Sequence, residues 1–267
     1  MEQIGLLHDG QIYDLQTAEA LNIKGDIIKA DDSKESLEIL RHSCAHMMAQ
    51  AIKELYPEAK FFVGPVVKEG FYYDFKVESK ISDEDLPTIE KKMKEIADRK
   101  LPITRHETTK EEFYEKFKND ELKQAVLKNI KDDTLTIYKQ GDFEDLCRGP
   151  HLPNTRMIRS FKLTRVAGAY LGGDEKNEMI TRIYGIAFFD KQALFDYTKM
   201  IEEAKKRDHR KLGTELELFT FNDDVGAGLA MWLPNGARLR SKLEHLLYKA
   251  HRVRGYEPVR GPEILNS

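Results

Sequence analysis

"LRHSCAHMMAQAIKELYP", residues 40–57, sets two histidines four positions apart with a cysteine between them, in a stretch free of helix breakers until Pro57. At about 100° per residue, Leu37, Leu40, Cys44, Met47, Met48, Ala51 and Leu55 fall on one stripe, the core face of an amphipathic helix. His42 and His46 stand roughly opposite that stripe, stacked one turn apart. The pattern predicts a helix over 33–56, opened by an Asp32/Glu35 capping box and closed at Tyr56-Pro57. It disfavours histidines buried in the core and assigns Cys44 to inert packing. With 8 histidines in the chain, a pair at this spacing also arises by chance, so the helix alone assigns no chemistry.

Upstream, "IGLLHDGQIYDL" reads as a hairpin pivoting on Asp9-Gly10, a pair suited to positive φ, and a weak helix, "TAEALNI", follows it. This is too little to stand alone and is expected to pack on what comes next. Downstream, "AKFFVGPVVKEGFYYDFKV" reads as two antiparallel strands, and Ser82 starts a helix that ends at Leu101-Pro102. "ITRHETT" and "LTIYKQ" read as strands, with "KEEFYEKF" and "ELKQAVLKNI" as short helices between them. Two alternating strands, "SFKLTRVAGAYLGG" and "MITRIYGIAFF", precede one long charged helix over about 191–211. Another helix is expected over about 236–254. Helices and antiparallel strands are mixed without βαβ alternation, which defines an α+β class.

The 267 residues suffice for a sizeable core and more than one domain. A third of them are charged and the mean hydropathy is -0.57, and no run approaches the ~18 apolar residues of a membrane span. The N-terminus lacks a signal-peptide layout, and the 2 cysteines cannot build a disulfide framework, so a reducing, cytoplasmic setting is expected. A net charge of -3 gives no bulk attraction for nucleic acid. The basic stretch "KKRDHRK" at 205–211 and the arginines from Arg238 onward read as solvated helix faces. Gly168, Gly172, Gly173 and Gly185 lie in strand and turn text, and nothing resembles a phosphate-binding loop.

A second stretch, "GDFEDLCRGPHLP" at 141–153, raises the histidine pair above coincidence. Cys147 and His151 are again four apart, now across Gly149-Pro150, a turn that can aim a thiol and an imidazole into one cavity. Together with His42 and His46 they form the N/S ligand set of a tetrahedral zinc site. The same groups suit metal-free hydrolysis, with imidazoles orienting a water. Asp145 and Arg148 flank the turn, and spacing does not separate the two options.

At this point the text resembles a known family. "RHSCAHMMAQAIKELYPEAKFFVGPVVKEGFYYDF", "DLCRGPHLPNT", "FKLTRVAGAYLGGDEKNEMITRIYGIAF" and "EEAKKRDHRKLGTELELF" are similar to successive stretches of bacterial threonyl-tRNA synthetases, nearly without break from about residue 36 onward. The resemblance implies an editing domain of the threonyl/alanyl type over 36–190, after a short N-terminal segment at 1–35 that is a reduced ubiquitin-like region. It further implies a linker helix at 191–213 and the start of a class II catalytic domain at 214–267, whose first motif ends at Pro262. The implied function is that of a threonine–tRNA ligase, of which this stretch carries the part that hydrolyses serine wrongly attached to threonine tRNA. The implied site residues are His42, His46, Cys147, His151, Asp145, Lys123 and Tyr73. Imidazoles and Lys123 would position water and the ribose hydroxyl, while Cys147 and Asp145 read the seryl group.

By the same resemblance no metal is expected in these 267 residues, although related alanyl editing proteins hold zinc in the four matching ligands. ATP, magnesium and one zinc would belong to a downstream catalytic core, together with a homodimer interface. The stretch alone is then expected to show no threonine-dependent pyrophosphate exchange. Two rival readings stand beside this one: a zinc-dependent alanyl-type trans-editing hydrolase, and a non-catalytic tRNA-binding module with a structural zinc knot.

Overall fold

The stripe and turn patterns account for most elements of the computed structural model, which describes residues 2–128, 130, 134–222, 224–226, 228–259 and 261. Contacts divide the chain into two units, Met1–Asp196 and Tyr197–Ser267. In the first unit, β1 (Gln3–His8) and β2 (Gln11–Asp14) form the expected hairpin, with Asp9 and Gly10 at φ 48° and 76°. A short helix, α1 (Leu15–Ala20), follows, and β3 (Asp26–Lys29) returns beside β1 to complete a three-stranded sheet ordered β2-β1-β3. β3 was not legible in the sequence, because its four residues alternate too briefly to signal a strand.

The long helix α2 (Lys34–Leu55) stops at Tyr56 as expected. Its start differs from the expectation. Ser33 is the cap and makes no side-chain cap hydrogen bond, while the Asp32 carboxylate accepts from the backbone N–H groups of Phe189 and Asp190. Tertiary hydrogen bonding has taken the side chain that a local capping box would have used. The second departure is larger: from Ile39 to Ile52 every residue but His42 is buried, so α2 has no solvent face there.

Two layers cover it. On the apolar side lies a five-stranded sheet ordered β10-β11-β6-β4, with β5 also paired to β6. Its strands are β4 (Lys60–Phe61), β5 (Val66–Val67), β6 (Gly70–Lys76), β10 (Ser160–Tyr170) and β11 (Met179–Phe188). Helix α3 (Leu86–Asp98), preceded by a 3-10 turn at Asp83–Asp85, adds Ile89, Met93 and Ile96 to the same core. Phe71, Tyr73 and Phe75 of β6 join it from the sheet, fully buried with Met47, Met48 and Ile52 of α2.

The other side of α2 meets a second sheet, β7 (Ile103–Thr109), β8 (Thr134–Gln140) and β9 (Phe143–Leu146), in the order β7-β8-β9. Here the contacts are polar: Gln140 donates to Gln50 at 2.6 Å, and the Leu152 N–H donates to Ser43 Oγ at 2.8 Å. Helices α4 (Lys110–Lys116) and α5 (Glu121–Lys128) connect β7 toward β8. The histidines expected on a solvent face therefore look into the seam between two layers.

The single helix expected over 191–211 is broken. α6 (Lys191–Lys206) ends before Asp208, which caps α7 (His209–Glu215) by accepting from the Arg210 N–H at 2.8 Å. A two-stranded hairpin, β12 (Phe219–Phe221) and β13 (Ala230–Trp232), leads to α8 (Pro234–Val253). A Cβ on Gly236 would lie 1.8 Å from the Leu218 carbonyl oxygen, so the first turn of α8 packs backbone to backbone on the hairpin's entry. Pro262, expected to end the first class II motif, lies outside the described residues. Among the described residues no helix is long and apolar enough to cross a membrane.

Candidate functional site

The seam along α2 is where remote residues meet. His42 and His46 project from successive turns of the helix, with ring centroids 5.2 Å apart. The His151 ring sits against both, at 4.3 Å from each. The Cys147 sulfur lies 3.1 Å from His42 Nε2 and 3.2 Å from His151 Nε2. One donor atom from each of these four residues falls within 4.8 Å of the others. Two sequence stretches about a hundred residues apart thus close on one point.

Each member is oriented from behind. His151 Nδ1 is 3.2 Å from Ser43 Oγ, which also bonds the Ile39 carbonyl and the Leu152 N–H. The backbones of Pro150 and Gly149 lie beside His42 and favour its protonated form. The Gly149 N–H points at the Cys147 sulfur at 3.2 Å. Gly149 has φ 77°, a left-handed conformation suited to glycine, and a Cβ there would come within 2.6 Å of the Tyr138 hydroxyl.

Burial sets the protonation. It lowers His42 to about 4, against the opposing pull of Asp14 and the two backbones. It drives His46 and His151 well below their ordinary value too, and the neighbouring imidazoles, with Lys123 acting on His46, push the same way. Burial holds the Cys147 thiol far above its usual range, while the Gly149 N–H opposes this. At neutral pH the cluster is three neutral imidazoles and a thiol.

A second group adjoins it. Asp145, on β9, is buried and accepts from Lys123 of α5, from the Tyr73 hydroxyl on β6 and from the Leu146 N–H. Burial raises the Asp145 carboxyl, and it lowers Lys123 to about 8. Three donors on one carboxylate favour its charged form. The Tyr73 ring lies 6.2 Å from that of His46 and so joins the two groups. Gly64 makes this ring position available, since a Cβ there would fall 2.3 Å from the ring. All seven residues singled out from the sequence stand in this one region, Lys123 through Asp145 rather than by direct contact with the cluster.

Three residues around the site escaped the sequence reading: Asp14, Ser43 and Tyr138. The Tyr138 ring packs 4.4 Å from His151, and its hydroxyl donates to Asp14. None belongs to a spaced motif, and the one signal available was Asp14, a helix-capping residue type directly after a strand. Two hollows flank the Cys147–Pro150 turn. One of about 410 Å³ lies between β2 and Arg148–Pro150, and one of about 200 Å³ includes Cys147, Thr136 and Val126.

The donor set fits zinc. A tetrahedral N/S site has edges of ~3.3–3.6 Å from metal–ligand bonds near 2.0–2.3 Å. The sulfur-to-nitrogen distances of 3.1 and 3.2 Å are tighter than this and the four donors lie within 4.8 Å of one another, so the donor types suit zinc while the spacing is not that of a closed tetrahedron. The hydroxyl contact behind His151 is the kind that orients metal-bound imidazoles.

The site is a helix-borne HxxxH facing a turn-borne CxxxH, set among antiparallel sheets. Residues 135–184 match the family model described as the threonyl and alanyl tRNA synthetase second additional domain, a span that holds Asp145, Cys147 and His151. Over its whole length the chain is similar to threonine–tRNA ligases. It is 67% identical over 266 residues to that of Campylobacter jejuni, covering 100% of this chain and 44% of the relative. The Campylobacter lari protein is 72% identical over 237 residues, 89% of this chain and 39% of its own length. The Helicobacter hepaticus protein is 65% identical over 266 residues, 100% of this chain and 44% of its own. The chain is thus similar throughout to bacterial threonine–tRNA ligases, matches the second additional domain model over residues 135–184, and spans under half the length of these relatives.

Proposed function

We propose that residues 36–190 form an aminoacyl-tRNA ester hydrolase that removes serine wrongly attached to threonine tRNA, within a threonine–tRNA ligase that charges this tRNA using ATP. The observation that carries this reading is the convergence of His42, His46, His151 and Cys147 beside the Lys123–Asp145–Tyr73 group. The need for such a site follows from physics. Serine lacks only threonine's methyl, and one methyl in a pocket discriminates by ~1–3 kcal/mol, so exclusion at a synthetic site is weak. A second pocket that admits serine and rejects the methyl completes the selection.

Hydrolysis needs a water held against the ester carbonyl and donors for the charge that develops there. Neutral imidazoles accept hydrogen bonds from a water and hold its lone pair toward the carbonyl. His42, half-buried, is the member of the three best exposed to an incoming ester. Lys123, with a proton affinity brought near neutrality by burial, donates toward the ribose oxygen that leaves. The Asp145 carboxylate attracts the ammonium of the amino acid, and Cys147, at the edge of the 200 Å³ hollow, bounds the space for its side chain.

Were zinc bound, His42, His46, His151 and Cys147 would be its candidate ligands, and it would acidify a water only if one of the four left a position open. The chain's own groups can supply the hydrolysis without it.

The test is deacylation of serine-charged against threonine-charged threonine tRNA. The chain should release serine and spare threonine, and His42→Ala should slow release by about 10²–10⁴-fold while the protein stays folded. Equal cleavage of both esters would refute the selectivity. An unfolded His42→Ala protein would favour a structural knot instead.

A further inference from the structure

The hydrolytic cluster has a support from outside the proposed editing residues. Asp14 closes β2 at the start of α1, in the short N-terminal segment, and is only 2% exposed. Its Oδ1 accepts from the Thr17 N–H at 2.7 Å, which caps α1. Its Oδ2 accepts twice from elsewhere: from the Tyr138 hydroxyl at 2.6 Å and from the backbone N–H of His151 at 3.0 Å. A helix cap needs neither burial nor the second oxygen, and burying a carboxylate is costly unless donors compensate it. Here three donors do, and two of them belong to the wall of the site.

The turn is seated on this carboxylate. A Cβ on Gly149 would lie 2.6 Å from the Tyr138 hydroxyl and 2.7 Å from Asp14 Oδ2, so the bare backbone rests on the Asp14–Tyr138 pair. Thr17 Oγ1, 3.0 Å from the Tyr138 hydroxyl, braces the same pair. Gln16 ties α1 to β7 through the Ile103 carbonyl and the Arg105 N–H, which fixes the segment from which Asp14 reaches. His151 is then held at three points. Its N–H is on Asp14, its Nδ1 faces Ser43 of α2, and its Nε2 is left facing the Cys147 sulfur.

We propose that Asp14 is a positioning residue of the hydrolytic site: by accepting from His151 N–H and Tyr138 it sets the Cys147–His151 turn so that the His151 imidazole faces Cys147 and His42. The N-terminal segment is thereby a working wall of the site. This rests on the editing reading for its activity readout, and on the hydrogen bonds alone for its structural one.

The experiment compares Asp14→Ala, Asp14→Asn and Ile4→Ala in the 267-residue chain. Ile4, fully buried in the same segment, reports general loss of packing. Kinetics use serine-charged threonine tRNA, with His42→Ala as the control for the editing reading. Asp14→Ala should lower kcat by about 10–100-fold with KM little changed, the usual effect of losing a group that orients an active-site residue. Asp14→Asn keeps one carbonyl oxygen for the Tyr138 and His151 donors but sets its NH2 against the Thr17 N–H, so it should fall between wild type and Asp14→Ala in rate, and Ile4→Ala should lower Tm while sparing kcat.

Histidine-selective NMR reads the seat without turnover. The His151 amide and ring signals should move in Asp14→Ala and stay in place in Ile4→Ala. Unmoved His151 signals in Asp14→Ala, or a rate loss in Ile4→Ala equal to that in Asp14→Ala, would each overturn the proposal. If wild type and His42→Ala release serine equally, the editing reading fails, and the NMR comparison still decides the role of Asp14.

Discussion

Two glycines and three histidines show how single residues set this site. Gly64 and Gly149 lie where a side chain would strike a functional ring or hydroxyl, at 2.3 Å from Tyr73 and 2.6 Å from Tyr138 respectively. Their replacements should differ. Gly149→Ala adds a left-handed backbone penalty to the clash and should cost about 1–3 kcal/mol in a denaturant melt. Gly64→Ala should instead displace the Tyr73 ring and weaken deacylation more than its change in stability explains. The imidazoles give a pH prediction. Burial holds His42 at about 4, against about 6.5 for a free imidazole, and depresses His46 and His151 in the same direction. Between those values the unfolded chain binds more protons than the folded one, so stability falls as pH drops from about 6.5 toward 4. The slope approaches about 1.4 kcal/mol per pH unit for each histidine so held. Urea melts at stepped pH measure this directly, and a stability that stays level from pH 7 to 4.5 would show that the rings are not buried as neutral bases.

Helix α5 delivers Lys123 to the site, and its start determines where that lysine stands. The Asp120 carboxylate accepts from the N–H groups of both Leu122 and Lys123 at 3.1 Å, capping the helix one turn below the ammonium. Asp120→Ala should therefore lower stability by about 0.5–2 kcal/mol and slow deacylation by loosening Lys123, whereas Asp120→Asn should keep the cap. Chemical denaturation and single-turnover rates on the same preparations separate the two effects. The elements also mark the limits of sequence reading. Patterns with local causes were legible: the Asp9-Gly10 hairpin, the stop of α2 at Tyr56, and the long strands β10 and β11. What failed was non-local. The α2 stripe correctly placed Leu40, Cys44 and Met48 in the core, but the opposite face carries histidines, serine and glutamine, and polarity there read as solvent. It is instead the polar seam with β8 and β9, where Gln50 meets Gln140 and Ser43 meets Leu152. Periodicity reports which face is apolar and is blind to a polar face that is buried and satisfied. The Asp32 capping box failed for a related reason, since its carboxylate was taken by the chain at Phe189. The seven residues named through resemblance lie together in the structure, while their surroundings at Asp14, Tyr138 and Ser43 depend on contacts that no spacing encodes.

Charge balance across the first unit bears on whether zinc belongs in the cluster. The four donor atoms lie within 4.8 Å of one another, and three are neutral imidazoles and the fourth is a thiol that burial keeps protonated. The two nearby carboxylates already hold donors: Asp14 those of Thr17, Tyr138 and His151, and Asp145 those of Lys123, Tyr73 and Leu146. The Lys123 ammonium, paired with Asp145, depresses His46 and opposes a further cation beside it. Binding would have to ionise Cys147 and expel its proton, a cost that falls as pH rises. The chain purified without chelators should accordingly carry well under one zinc per chain by elemental analysis, and its serine release should survive dialysis against a chelator. Cys147→Ser should then leave metal content unchanged and alter only the fit of the seryl group. One zinc per chain, lost on Cys147→Ser, with activity removed by the chelator and restored by zinc, would make the cluster a metal centre.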